Sequence, residues 1–259
     1  MISKVHILVC YKIVPEEQDI VVNADKTLSF ERAELKLGQY DLNAVEAGMQ
    51  LTEAAGGTVS SLTVGGDEVK NSKMQKSILS RGPHSNYAVC SPSLAGADCN
   101  TTAKTLALAA GKIGHWDLIL CGEGSSDLYS QQVGIQLGEL LGVPSVNAVS
   151  SIAADGGKLV VERTLESEVE TLSVPLPAVL SVTSDINTTR VPSMKEIMGA
   201  GKKPSTIWSG DDLAVPEDRA EETISLLAPK QADRKCVVVE GDSNDSVASF
   251  LRLIRSELG

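Results

Sequence analysis

The sequence predicts an α/β protein with an open, mostly parallel sheet, helices on both faces and a C-terminal arm. Three observations carry this. Strand-like and helix-like stretches alternate through the first 150 residues, the pattern of a layered α/β sheet. Hydrophobic residues make up 42% of the chain but aromatics only 3%. The core is therefore aliphatic, as in strands buried on both faces. After Ser150 the rhythm changes, and an amphipathic segment stands beyond a polar linker.

Val5 to Cys10 is an almost unbroken apolar run and reads as a buried first strand, ended by Lys12 and Pro15. Pro15 to Arg32 is polar, with room for a short hairpin between Ile20–Val22 and Thr27–Phe30. A helix follows with Asp41 as N-cap, Leu42, Val45 and Met49 on one face, and Gly56-Gly57 as its stop. Val59 to Val64 alternates as a strand and leads into Gly65-Gly66, Asp67 to Ser80 is helical in character, and Tyr87 to Cys90 is a short strand. Asp98 to Ile113 is an Ala/Leu-rich helix, and Leu118 to Leu120 and Ser145 to Val149 are further strands.

Lys158 to Arg163 and Val169 to Val174 read as an antiparallel pair set off by Asp155-Gly156-Gly157, and Ala178 to Val182 returns to a buried strand. Ser184 to Pro204 is poorly periodic and basic, with Arg190, Lys195, Lys202 and Lys203 around Met194, Ile197 and Met198. A solvated loop accounts for that composition. So does a docking element, because exposed Met beside Lys suits an adaptable interface. Ser205 to Arg234 reads as linker, Cys236 to Glu240 as a β-type run, and Asp245 to Leu258 as an amphipathic helix.

The most informative stretch is Asp117 to Pro144: an apolar strand, a Gly/Ser loop over Gly122–Ser126, and a helix from about Leu128 to Leu141. Free N–H groups and the helix dipole favour an anion where such a helix begins. Ser125, Ser126 and Ser130 add hydroxyls, and Gln131 and Gln132 add amides able to read a base or ribose. No Lys or Arg lies in the loop, so a Walker-type triphosphate clamp is excluded. An ordinary βα turn with Ser126 or Asp127 as helix N-cap accounts for the same residues. Ligands of open α/β sheets sit outside the carboxyl ends of the strands. Three loops reach that edge: Cys10–Lys12, Val64–Gly66 and Gly122–Asp127.

Other chemistry is sparse. A net charge of −11 argues against nucleic acid or an anionic membrane as main partner. The five cysteines, Cys10, Cys90, Cys99, Cys121 and Cys236, form no CxxC pair, and His6, His84 and His115 are far apart in sequence. No metal site is expected. Glu123 and Asp127 could form an acid/base pair, although capping explains them equally. There is no run of 18 apolar residues and no signal-peptide pattern, so a soluble cytoplasmic protein without membrane insertion is expected.

Several stretches together resemble the beta subunit of electron transfer flavoproteins across nearly the whole chain. VERTLESEVETLSVPLPAVLSV, Val161 to Val182, is similar to the family's basic residue, acidic cluster and Leu-Pro-Ala-Val strand, with Ser167 a small departure. INTTRVPSMKEIMGAGKKP, Ile186 to Pro204, is similar to the family's partner-recognition loop and the Lys-rich stretch after it. CYKIVPEEQDIVV, GQYDLNAVEA, LSRGP and GEGSSDLYSQQVG look closest to the branch associated with anaerobic carnitine metabolism and nitrogen fixation, or to an enterobacterial paralogue of it.

The resemblance implies a Rossmann-like, adenine-nucleotide-binding domain over 1–183, a recognition loop over 184–204, and a linker with a strand–helix arm over 205–259 that packs on an alpha subunit. It implies a heterodimer whose alpha subunit holds the redox-active FAD, with AMP or a second FAD in this chain. The nucleotide contacts it implies are Cys10, Gly38, Gln39, Tyr40, Asp41, Val64, Gly122, Glu123, Gly124, Ser125, Ser126, Asp127, Ser130, Gln131, Gln132 and Val133. Leu128, Tyr129 and Gln131 depart from the common loop pattern, and Tyr40 stands where a Phe approaches the alpha-subunit flavin. Arg190, Met194, Lys195 and Ile197 would dock an acyl-CoA dehydrogenase-like or quinone-linked oxidoreductase. The chain is thus expected to be an electron carrier rather than an enzyme, with no catalytic residue of its own. The alternatives are an electron-bifurcating subunit that oxidises NADH at its own FAD, and a stand-alone nucleotide sensor of the universal-stress type.

Overall fold

A computed structural model describes residues 4–216, 219–230 and 236–258. The chain opens with β1 (Val5–Cys10), whose side chains alternate between two layers. Val5, Ile7 and Val9 enter one core cluster, and Leu8 and Cys10 enter the other. The excursion after β1 carries two small ribbons. One pairs β2 (Ile13–Pro15) with β5 (Leu35–Leu37), and the other pairs β3 (Val21–Val22) with β4 (Leu28–Ser29). The second is the hairpin read from the sequence, and the first was not legible there.

Helix α1 (Gln39–Ala55) returns the chain to β6 (Gly57–Gly65), which pairs with β1 in parallel. The N-cap is Gly38, so Asp41 lies inside the first turn rather than at the cap. Gly48 brings the helix close to the sheet: a Cβ there would lie 3.3 Å from Val9 and 3.4 Å from Leu120. The predicted stop holds, with Gly56 at the C-cap at φ 78°. The region 67–80 divides into a 3-10 turn and α2 (Ser72–Leu79), because Asn71 caps the helix through Lys73 N and Met74 N.

The chain continues through β7 (Ser85–Cys90), α3 (Cys99–Ile113) and β8 (Leu118–Gly122) to α4 (Val133–Leu141). Next comes β9 (Ser145–Asp155), joined to β10 (Lys158–Thr164) by Gly156 and Gly157 at φ 54° and 96°. Two successive residues with positive φ are what a two-residue hairpin loop requires. Then follow β11 (Val169–Pro175) and β12 (Ala178–Val182). Nine strands form one sheet in the order β11-β10-β9-β12-β8-β1-β6-β7, closed by Ser205–Ser209 at the far edge. Within this sheet β10 pairs antiparallel with both β9 and β11, and the other pairings are parallel. Residues of α1 and α2 pack on one face, and those of α3 and α4 on the other.

Further details differ from the sequence reading. Helix α4 begins at Val133, not near Leu128, because Tyr129 and Gln131 take positive φ of 47° and 56°, which no helix tolerates. Its cap is Gln132, so neither Ser126 nor Asp127 is the N-cap. Part of the basic segment is helical: α5 (Met194–Ala200) starts at a capping box between Ser193 and Glu196. The presumed linker opens with β13 (Ser205–Ser209), parallel to β7, so the sheet extends past residue 204. Two of its five residues are serines, which diluted the strand signal. The reading of 217–218 and 231–234 as linker lies outside the described residues.

Arg219 donates to the carbonyls of Ser93, Ala95 and Gly96, and Asp98 accepts from Ala220 N and Glu221 N, so this part of the linker is anchored to the turn that leads into α3. Cys236–Glu240 forms no strand, as expected of a β-type run without a neighbour to pair with. Helix α6 (Asn244–Leu258) follows and buries no residue. No helix among the described residues is long and apolar enough to cross a membrane.

Candidate functional site

From β1 the chain crosses to β6 on one side, and β8 lies on the other. The crevice between the carboxyl ends of β1 and β8 is therefore a topological switch point, where open α/β sheets hold ligands. The side chain that organises it is Asp41. Its Oδ2 accepts from Lys12 N at 2.7 Å, and its carboxylate also accepts from Gly122 N. Gly38 N in turn donates to Lys12 O at 2.9 Å. One carboxylate thus ties the end of β1, the start of α1 and the end of β8. Burial pushes Asp41 up to about 7, against the pull of the two N–H donors and of Lys12.

Lys12 belongs to the site: the sequence places it in one of the three loops at the ligand edge, and its partner there is Asp127. Its Nζ pairs with Asp127 Oδ2 at 2.6 Å and Oδ1 at 2.9 Å. Burial raises the Asp127 carboxyl, but hydrogen bonds from Lys12 and Ser125 and the Lys12 charge outweigh it and hold the group below its usual value. The signal was there: Lys12 stands two residues past the strand's last residue, at the edge where ligands bind. Glu123 and Asp127 do not act as a pair. Glu123 side chain interacts with Tyr129, whose phenol is pushed up to about 12 by burial and then by Glu123.

Gly122 and Gly124 permit close packing. A Cβ on Gly122 would lie 2.7 Å from Asp41 Oδ1 and from Tyr40 Cβ, and one on Gly124 would lie 2.6 Å from the Tyr129 ring. Tyr40 and Tyr129 face each other with ring centroids 5.3 Å apart. Glu123 N donates to Val182 O, which fixes the loop's first residue to β12. Cys10 is buried at the end of β1, and its thiol is raised by a hydrogen bond with Cys121 and by burial. It is a core residue bordering the crevice. Val64 sits at the end of the neighbouring β6, half-buried against the α3/α4 core.

Cys10, Gly38, Tyr40, Asp41, Gly122, Glu123, Gly124, Ser125 and Asp127 thus converge through direct contacts or adjacent strand ends. Gln39, Ser126, Ser130, Gln131 and Gln132 are exposed around them. Gln132 accepts from Gln136 Nε2 at 3.0 Å and leaves the first amides of α4, from Val133 onward, without a side-chain cap. Uncapped amides, a glycine-lined loop and a lysine are donors of the kind that suit an anion such as a phosphate. Among the described residues, no group of three or more His, Cys, Asp or Glu could hold a metal ion.

The second candidate region is the segment before and through α5. Met194 is 72% exposed, Met198 75%, Val191 91% and Ile197 46%. Met194 therefore does not pack into its own domain. Arg190 is not a free cation: its guanidinium lies on Glu46 and Glu53. Lys203 is likewise engaged, donating to the carbonyls of Leu79, Gly82 and Pro83 at the end of α2. The basic cluster of the sequence is thus partly a fastening, with Lys195 exposed beside the apolar side chains. A family model described as the electron transfer flavoprotein domain matches residues 27–213, which takes in the crevice loops from Gly38 onward and all of α5.

Proposed function

The chain belongs to the electron transfer flavoprotein family, a family of electron carriers, and we propose that it is the beta-type subunit of a heterodimeric carrier. The carrier passes electrons between a dehydrogenase or other reductant and an oxidoreductase through FAD in an alpha-type subunit. This chain binds an adenine nucleotide, AMP or a second FAD, at the switch point. The observation that carries this reading is the crevice in which Asp41 joins β1, α1 and β8 while Lys12 pairs with Asp127.

The chemistry of electron transfer belongs to the flavin when it is bound. The residues of this chain bind and orient. The α4 amides and Lys12 receive the phosphate, the 122–133 loop surrounds the base and ribose, and Asp41 holds the three edges in register. Tyr40, at the crevice mouth, covers the flavin of the other subunit. Met194 with Ile197 and Lys195 docks the acyl-CoA dehydrogenase-like or quinone-linked partner. The exposed apolar face of α6, with Val247, Phe250, Leu251 and Ile254, packs against the alpha-type subunit.

Co-expression with an alpha-type subunit tests the proposal. A single species of summed mass that carries the flavin absorbance band supports it. A chain that elutes alone and colourless, with the alpha-type subunit elsewhere, refutes it.

A further inference from the structure

We infer that Glu46 and Asn43 on α1 are positioning residues that hold the docking segment in place from the helix that begins at the nucleotide crevice. The inference rests on the docking reading of Met194. Between β12 and α5 the chain runs from 183 to 193 without regular structure, yet it is tightly held. Asn43 Nδ2 donates to Ser184 O at 3.1 Å and to Asn187 O at 3.0 Å, and Asn187 Nδ2 donates back to Asn43 O at 3.0 Å. One turn on, Glu46 Oε2 accepts from Arg190 Nε at 2.6 Å and Oε1 accepts from Arg190 Nη2 at 3.1 Å, a fork-on-fork pair. Gln50 donates to Glu46 Oε1 at 3.0 Å, and Glu53 accepts from Arg190 Nη1 at 2.9 Å.

Positions 43, 46, 50 and 53 form one stripe of α1. The Glu46 side chain is 7% exposed. Burial raises its carboxyl, but the Arg190 hydrogen bonds and charge outweigh this and hold it low. The clamp is thus charged and mostly dry, where a broken partner is costly.

This clamp sits just before the most exposed apolar side chains of the domain. A seven-residue helix is not stable by itself, so the placement of Met194 and Met198 depends on how its ends are fixed. Lys203 fixes the far end through three carbonyls of the 79–83 turn, and Glu46 and Asn43 fix the near end. A docking surface held in its bound form loses less entropy on association. The stripe also starts one turn from Tyr40 and Asp41, so one rigid helix sets both the crevice and the docking surface.

Glu46→Gln and, independently, Asn187→Ala test this in the full chain and in the heterodimer. Amide hydrogen exchange across 188–197 should quicken by about tenfold in each variant, with the amides of α3 and α4 unchanged. In steady-state reduction of the heterodimer by an acyl-CoA dehydrogenase, KM for the heterodimer should rise about fivefold while kcat moves less than about twofold. Met194→Ala is the reference. Unchanged exchange in both variants overturns the inference. Faster exchange with unaltered KM, while Met194→Ala raises KM, also overturns it but leaves the docking reading standing. If Met194→Ala and both clamp variants all leave KM unaltered, the docking reading fails and the inference falls with it.

Discussion

Lys12 Nζ lies 2.6 Å from Asp127 Oδ2, and this contact joins the end of β1 to the loop after β8 across the mouth of the crevice. The partners are 115 residues apart in the chain, so no local pattern announces them. Their side chains are 43% and 24% exposed, a setting in which an ion pair adds little to stability. Its consequence is local: the Lys12 ammonium is held in place at the crevice beside Asp127.

Lys12→Met should therefore shift stability by no more than about 1 kcal/mol but weaken AMP binding about tenfold, the loss of one charge-assisted hydrogen bond. Calorimetric titration of AMP into the nucleotide-free heterodimer measures it. The salt dependence of binding should fall in the same variant. Unaltered affinity would place the phosphate away from Lys12.

Gly122→Ala places a methyl group against Asp41 and Tyr40, and crowding of this kind costs about 1–3 kcal/mol. The expected result is a melting point lower by several degrees together with reduced nucleotide content. Gly124→Val instead drives the Tyr129 ring, itself 42% exposed, off the loop. It should lower nucleotide content with a smaller thermal penalty. Full nucleotide occupancy in both variants would move the site elsewhere.

Asp41 gives a pH signature. Burial raises its pKa in the folded chain from 3.8 to about 7. Between those values the folded state holds a proton that the unfolded chain has released. The Asp41 contribution to stability is thus fully present below about pH 4 and is lost as the pH rises through about 7. Asp41→Asn removes the titration. Unfolding free energies of the two proteins, measured by denaturant from pH 4 to 8, should converge or cross as pH rises, with the wild type losing more. Parallel curves would contradict the burial assignment.

Met194→Ala removes a side chain that is 72% exposed, so the melting point should hold within about a degree. Flavin reduction by the dehydrogenase should slow by a factor of about thirty if the side chain is a hot spot of roughly 2 kcal/mol. Unchanged kinetics in a fully folded heterodimer would remove α5 from the docking surface.

Truncation after Pro229 removes α6 but keeps the Arg219 anchor and the contact between Thr27 and Leu227. The remaining sheet should melt as before, because no residue of α6 is buried. Association with the alpha-type subunit should be lost. Normal co-purification of the truncated chain would show that the arm is dispensable for assembly.

The sheet was legible because its strands obey a simple parity. Buried aliphatic runs such as Val5–Cys10 and Leu118–Leu120 could be little else. The arm helix was legible from its apolar stripe. The elements that escaped were those whose pairing is tertiary: β13 depends on β7, the β2/β5 ribbon on residues 20 to 24 positions apart, and α5 on its Ser193–Glu196 box and a packed Ala200. In the site, the glycine loop announced itself, but the start of α4 was set by positive φ at Tyr129 and Gln131, which composition does not reveal. The pairings of Lys12 and Glu46 escaped for the same reason: each partner lies more than 100 residues away.

The most direct test of the nucleotide-binding carrier subunit is to acid-extract the purified heterodimer and quantify its nucleotides by chromatography. The prediction is one FAD together with one further adenine nucleotide, AMP or FAD, per heterodimer. The further nucleotide should be lost selectively in Gly122→Ala. A heterodimer that contains a single FAD and no second nucleotide, or whose second nucleotide is indifferent to Gly122→Ala, would contradict it.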